Sequence, residues 1–303
     1  MKLLITGASG FVGQRLIEYY QQKKADITAV SRTPNNKSLK NVNAISWEDL
    51  DKQIIQQQDL IINLAGTNLA EKRWSDKRKQ SIKDSRIQAT KTVSQLCAQL
   101  GKNAPALFNA SAIGIYPSYF QQPAPEPYHD SSTTCLNASN FLMKTACAWE
   151  EATTPAIQND SRVVHLRFGI IIGPEGGMLK QLLLPFKFGL GAKVGNGQQT
   201  ISWISIIDVI RAIDFLWQQS EIQGPVNITS PNRVSQKKFA DTLAKSLKRP
   251  RLFTIPKKLV QIAFGEMGNE LLLKGQNIPP YKLEELGFEW QHPTLDKCFK
   301  EIL

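Results

Sequence analysis

Long apolar runs are missing from this 303-residue chain, and no stretch approaches the length that crosses a bilayer, so no membrane partner is expected. Cysteine is scarce: Cys97, Cys135, Cys147 and Cys298 are scattered without C-x-x-C spacing. That excludes the usual zinc and thiol-redox motifs, and it fits free thiols in a reducing cytoplasm. No signal-peptide pattern precedes the first strand, which agrees with a cytoplasmic location. Histidine is scarcer still, with three residues in unrelated contexts, so no metal site is expected. There is no G-x-S-x-G elbow, no internal repeat and no long linker. Acidic residues are too few to balance the basic ones, leaving a formal charge of +11. Yet the basic residues are spread along the chain. Their densest cluster, Lys72-Arg73 with Lys77-Arg78-Lys79, falls on an apparent helix, and no nucleic-acid motif accompanies it. Anionic cofactors and substrates account for the excess better than nucleic acid does.

What is present starts at the first residues. The apolar strand Leu3-Leu4-Ile5 runs into Thr6-Gly7-Ala8-Ser9-Gly10-Phe11-Val12-Gly13, and an amphipathic segment with Leu16, Ile17 and Tyr20 follows. This is strand, tight turn, helix with G-x-x-G-x-x-G spacing. One glycine permits the turn, one lets a diphosphate approach the backbone, and one lets helix and strand pack closely. The helix start offers free N–H groups and a positive dipole end. Thr6, Gly7, Ser9, Gly10, Phe11, Val12 and Gly13 are therefore the candidate dinucleotide loop. The second strand, Asp26 to Val30, ends at Ser31-Arg32 with no carboxylate. An acidic side chain there selects NAD by binding the ribose 2′-hydroxyl, whereas a guanidinium suits a 2′-phosphate. NADP(H) is thus expected in preference to NAD(H).

Strands and helices then alternate. Gln58 to Gly66 reads as an apolar strand ending in small residues, about Ser75 to Leu100 as a long helix, and Ala106 to Ala110 as a strand ending at Ser111. A proline-rich loop (Pro117, Pro123, Pro125, Pro127) leads to a helix around Asn137 to Glu151, and Arg162 to Ile172 reads as one buried strand. Near-continuous apolar strands separated by helices imply a parallel sheet covered on both faces. The expected fold is α/β: a Rossmann-type doubly wound parallel sheet with a smaller C-terminal α/β domain on the substrate side. Residues 1–172 with about 204–228 make the first, and about 173–203 with 229–303 the second.

The opening T-G-A-S-G-F-V-G, Asn63-Leu64-Ala65-Gly66, Ser111, Arg167-Phe168-Gly169 with Gly173-Pro174, Gly195-Asn196-Gly197 and Ile206-Ile207-Asp208-Val209 resemble an extended short-chain dehydrogenase/reductase of the NAD-dependent epimerase/dehydratase type. Gly66-Thr67-Asn68-Leu69-Ala70, Arg73-Trp74, Ser85-Arg86, Phe141, Trp149-Glu150, Trp203-Ile204 and the tail from Pro250 are similar to one subgroup. That subgroup carries a C-terminal domain of unknown function and is sometimes labelled a cell-division inhibitor. The resemblance implies that Leu64, Ala65, Gly66, Arg167 and Gly169 join the cofactor loop, and that relatives are often homodimers.

Active members of the family use a Ser, a Tyr, and a Lys four positions after the Tyr. Ser111 stands at the Ser position and Lys144 at the Lys position, but Asn140 occupies the Tyr position, and Asn gives up no proton near neutral pH. Tyr116, at the expected cleft mouth, is the candidate substitute, so the catalytic candidates are Ser111, Tyr116 and Lys144. His129 and Asp130 read as exposed loop residues, and His165 as a packed core residue. On the substrate side stand Arg73, Trp74, Arg86 and Trp203. Arg86 fits a clamp on a carboxylate or phosphate and, preferentially, a loop brace; Trp203 is expected to line the cleft, and Asp208 to cap the following helix. The function implied is an NADP(H)-binding oxidoreductase or epimerase-like protein acting on a small molecule. The alternative is a catalytically silent NADP(H)-binding sensor or scaffold.

Overall fold

The chain opens with β1 (Lys2–Thr6), α1 (Phe11–Gln22), β2 (Asp26–Val30), β3 (Asn43–Ile45), α2 (Lys52–Gln56) and β4 (Leu60–Asn63). The long α3 (Asp76–Ala98), β5 (Ala106–Ala112), α4 (Phe141–Glu151), α5 (Thr154–Gln158) and β6 (Val163–Phe168) follow. The second half supplies β7 (Ile170–Gly173), α6 (Gly177–Lys187), β8 (Ala192–Val194), β9 (Thr200–Ile201), β10 (Trp203–Ser205), α7 (Ile206–Gln218) and β11 (Gly224–Ile228). It ends with β12 (Val234–Ser235), α8 (Gln236–Ser246), β13 (Phe253–Ile255), α9 (Lys257–Gly268), α10 (Tyr281–Glu285) and α11 (Leu295–Ile302). This computed structural model describes residues 1–120, 127–132 and 135–303; Pro123 and Pro125 of the expected proline-rich loop lie outside them.

Seven strands form one sheet in the order β11-β6-β5-β4-β1-β2-β3, and every neighbouring pair is parallel. Alternation explains the sequence pattern. Leu3, Ile5, Leu60, Ile62 and Phe108 face Leu16 and Ile17 of α1 and Val209 and Ile213 of α7. The residues between them, Leu4, Ile61 and Leu107, face Val93 and Cys97 of α3 and Ala156 of α5. Both faces are buried, so each strand reads as an unbroken apolar run. The strand order reverses between β1 and β4, and the crevice outside their carboxyl ends is where such sheets bind ligands. Among the described residues no helix is long and apolar enough to cross a membrane.

A second core joins Ile172, Leu179, Phe186, Trp203, Phe239, Leu243, Leu295 and Phe299. It gathers α6, α8 and α11, and makes a smaller lobe of the segments on either side of α7 and β11. The lobe is not separate, because Leu283 and Phe288 return to the sheet's own core.

Three expectations are corrected here. Arg162 to Ile172 is two strands, since the chain changes sheets at Gly169: β6 pairs with β5 and β11, whereas β7 pairs with β10. A Cβ at 169 would stand 2.8 Å from the Ser202 carbonyl oxygen, so only glycine permits that turn. Ser205, not Asp208, caps α7, its Oγ accepting from the Asp208 N–H at 3.0 Å. The Asp208 carboxylate instead accepts from the N–H groups of Gln291 at 2.7 Å and His292 at 2.9 Å, tying the C-terminal segment to α7. The four cysteines are not all scattered thiols, because Cys135 and Cys147 form a disulfide that pins the approach to α4 against the helix.

Candidate active site

The loop after β1 has no room for side chains at two places. Gly7 has φ +65°, and a Cβ there would lie 2.6 Å from the Leu64 carbonyl oxygen; a Cβ at Gly13 would lie 2.6 Å from the Gly7 oxygen. The loop therefore presses β1, β4 and the start of α1 together. No side chain caps α1 at Gly10, so its first-turn N–H groups keep their positive end for an anion. Ser9 is exposed at the turn, while the Phe11 ring fills the space that side chains on Gly173 and Gly176 would take. A cradle that a Cβ would fill, ending on an uncapped helix, fits a dinucleotide diphosphate.

Buried polar bonds hold the strand ends around this cradle. Thr6 Oγ1 donates to Asn63 Oδ1 at 2.5 Å and accepts from the N–H groups of Leu64 and Ala65, each at 3.2 Å. Asn63 Nδ2 donates to Asn109 Oδ1 at 2.6 Å and to Thr90 Oγ1 at 2.8 Å. At the end of β2, Ser31 Oγ accepts from the Thr33 N–H at 3.1 Å, and the exposed Arg32 has no hydrogen bond or ion pair among the described residues.

The catalytic candidates do not meet. Ser111 is buried at the end of β5, where its Oγ donates to Glu150 Oε1 at 2.6 Å. Glu150 also receives a bidentate pair from Arg167, Nε to Oε1 and Nη2 to Oε2, both at 2.8 Å. Burial pushes the Glu150 carboxyl up, but the Arg167 hydrogen bonds, the charges of His165 and Arg167 and the Ser111 hydroxyl outweigh it, so the net shift is down. Tyr116 is fully buried. Its hydroxyl donates to Asn227 Oδ1 at 2.8 Å and accepts from Arg167 Nη1 at 2.6 Å. Burial pushes this phenol up to about 12 against the lowering effect of Arg167. A proton-donor role for Tyr116 is therefore corrected to a structural one. Asn140 caps α4, its Oδ1 accepting from the Met143 N–H at 2.9 Å. Lys144 is exposed on the outer side of α4, in a groove it shares with Lys79, Lys83, Asn140 and Glu266.

The face of α4 that meets β5 and the turn after it carries Leu142, Ala146 and Glu150. Leu142 lies beside Gly114, Ala146 packs with Ile113, Ile115 and Tyr116, and Glu150 holds Ser111. Two of these three positions are apolar, so that face offers neither a phenol nor an ammonium.

Arg167 is likewise committed: four of its five N–H bonds go to Glu150, Tyr116 and the Asp130 carbonyl oxygen. Little of it remains for a cofactor. Trp203 does not line a cleft; it has no exposed surface and donates its indole N–H to the Asn232 carbonyl oxygen at 2.7 Å. Trp74 packs edge-on against Phe141, with ring centroids 5.0 Å apart, in a cluster with Ile82 and Met267 that joins α3 to α9. Arg73 is exposed, with Nη2 3.0 Å from where a Gly265 Cβ would stand.

Arg86 is different. Its Nη1 donates to the carbonyl oxygens of Thr67 at 3.1 Å and Ile82 at 2.9 Å. Its Cζ lies 5.0 Å from the Trp149 ring centroid, and Gly66 lies against the same guanidinium. Burial lowers its pKa to about 10, and the charge of Arg78 acts in the same direction.

Sequence reasoning gave Glu150 no role of its own, read Asp130 as an exposed loop residue and missed Asn227. Asp130 is buried rather than exposed; its carboxylate accepts from the N–H groups of Asn227 and Lys282. A signal for Glu150 was available, since an arginine inside the apolar run Val163–Phe168 needs a buried counter-charge.

The profile of the NAD dependent epimerase/dehydratase family matches residues 3–229, and that of a domain of unknown function, DUF1731, matches residues 255–302. An epimerase family protein of Mycobacterium bovis is 38% identical over 97% of this chain and 95% of its own length. One from Staphylococcus aureus is 33% identical over 99% and 98%. Among solved structures, the human epimerase family protein SDR39U1 with NADPH superimposes with a TM-score of 0.88 at 25% identity, covering 100% of this chain and 99% of that one. A nucleoside-diphosphate sugar epimerase from Corynebacterium glutamicum superimposes at 0.77 with 26% identity, covering 100% of this chain and 58% of that one.

Proposed function

Because the chain belongs to the NAD dependent epimerase/dehydratase family, we propose that it is an NADP(H)-binding oxidoreductase or epimerase-like enzyme acting on a small molecule. The observation that carries the cofactor choice is Arg32, an exposed and uncommitted guanidinium at the end of β2 where a carboxylate would select NAD. The NADPH held by the human relative supports the same choice. In this reading the Gly7–Gly13 turn and the start of α1 hold the diphosphate, Arg32 holds the 2′-phosphate, and Leu64 to Gly66 line the crevice. Bound there, NADP(H) supplies or accepts a hydride. With Tyr116 buried and Lys144 outside, the accompanying proton exchanges with water.

One observation favours a second reading. The apolar Leu142 and Ala146 face of α4 suits a protein that binds the cofactor without turning it over.

Calorimetric titration with NADPH and NADH, beside the Arg32→Ala variant, tests the cofactor assignment. Micromolar or tighter NADPH binding is expected, weakened about tenfold or more in the variant, which is ~1.4 kcal/mol, with NADH weak in both. Equal affinities in both proteins sink the 2′-phosphate role. Oxidation of bound NADPH by a carbonyl panel then separates the two readings.

A further inference from the structure

The Arg86 guanidinium lies largely buried near the carboxyl end of β4 with no carboxylate beside it among the described residues. Among the described residues, Arg167 and Arg162 have the matching Nε–Nη2 edge filled, and Arg78 has a carboxylate beside it. Arg167 closes on Glu150, and Arg78 donates through Nη2 to Glu71 at 2.9 Å and to the Asn68 carbonyl oxygen at 2.6 Å, although its Nε is buried without a partner among the described residues. Arg162, which has no ion pair among the described residues, spends its Nε and Nη2 on three carbonyl oxygens, those of Ile222, Leu216 and Gln219. Arg86 has only Nη1 tied down. Its Nε–H and both Nη2 hydrogens have no partner among the described residues, and neither atom is sealed from solvent. A loop brace needs no more than the Nη1 contacts, so the rest of the guanidinium is unexplained by structure alone.

The open edge is also held in place. Trp149 covers one side of the guanidinium at 5.0 Å, and a Cβ at Gly66 would stand 3.1 Å from Arg86 Cγ and 3.3 Å from Cζ. The Nε–Nη2 edge is the planar fork that matches two oxygens of a carboxylate or phosphate. Its position matters as much. Gly66 follows Leu64 and Ala65, which close on Gly7 at the β1–β4 crevice, and Trp149 adjoins the Glu150 that holds Ser111. We propose that Arg86 is an oxyanion receptor, and that the small molecule this protein takes carries a carboxylate or phosphate bound by the Nε–Nη2 fork. The substrate assignment rests on the cofactor reading above; the receptor itself does not.

The test uses the full chain, cofactor-free and saturated with NADPH, titrated calorimetrically at low ionic strength. The probes are inorganic phosphate and pyruvate, with pyruvamide as the uncharged control. Saturable binding of either anion by the NADPH-loaded protein is expected, with pyruvamide at least tenfold weaker. Arg86→Lys keeps the charge but lacks the fork, and should lose tenfold or more in anion affinity while its NADPH affinity moves less than threefold. Absence of saturable anion binding to the wild-type protein overturns the proposal, whatever the variant does. So does equal anion affinity in wild type and a folded Arg86→Lys. Anion binding confined to the cofactor-free protein, with NADPH affinity falling in the variant, overturns the substrate assignment and gives the fork to a cofactor phosphate. Failure of wild-type NADPH binding together with Arg86-dependent phosphate binding refutes the cofactor reading and upholds the receptor.

Discussion

A phenol with no exposed surface, hydrogen-bonded as donor and as acceptor, has no proton to offer a ligand. Tyr116 is held this way between Asn227 and Arg167, and its ring stacks on Tyr128 with centroids 5.3 Å apart. Replacing it by Phe keeps the stacking and leaves Asn227 Oδ1 and one Arg167 N–H short of a partner, which costs about 1–3 kcal/mol. Tyr116→Phe should therefore shift the urea midpoint downward while NADPH affinity stays within twofold. A variant of undiminished stability that no longer oxidises NADPH would return Tyr116 to the chemistry. At this scale the sequence was legible where a residue type has one physical use. Gly7 and Gly13 are such cases, since φ +65° or a 2.6 Å approach admits nothing else. It was silent where the partner is remote: Glu150 and Arg167, or Asp130 and Asn227, meet only because the sheet and α4 bring them together.

Elements show the same divide. Unbroken apolar runs placed β1, β2, β4 and β5, and helical apolar spacing placed α3, close to where they lie, with Ser75 capping α3. The short edge strand β3 and the break at Gly169 were not legible, because both depend on which strand lies alongside. The helix α4 is defined by its cap at Asn140 and by a covalent tie, since Cys147 on the helix joins Cys135 in the 3-10 turn before it, 12 residues away. Closing a loop of that length restricts the unfolded chain by at most about 3 kcal/mol. For a chain of this size that corresponds to about 5 °C in melting temperature. Reductant should lower the wild-type melting point by up to that amount and leave Cys135→Ala unaffected, with NADPH affinity equal in all. A wild-type melting point insensitive to reductant would mean that the pair adds nothing to stability.

Across the whole molecule, the two cores are threaded through one another. The smaller lobe takes Ile172 from β7, which follows the break at Gly169, and Trp203 from β10, which pairs with β7; it returns Leu283 and Phe288 to the sheet's own core. Polar bonds cross the same boundary: Gln276 Nε2 donates to the carbonyl oxygens of Ile113 at 2.9 Å and Tyr116 at 2.8 Å. Opening the smaller lobe would thus expose part of the sheet's core and strand the carbonyls beside the site. Neither lobe has an intact core without the other, which argues against independent unfolding even though the family profiles divide the chain. Scanning calorimetry should show one transition, with calorimetric and van't Hoff enthalpies equal. NADPH at a hundred times its Kd should raise that whole transition by about 2.7 kcal/mol, because a ligand of the native state stabilises everything that unfolds with its site. Two resolved transitions, with only the first moved by NADPH, would show that residues 281–290 dock on the sheet without being part of its core. The contacts around Gln276 would then be a hinge between lobes, and the crevice between β1 and β4 could open without unfolding the sheet.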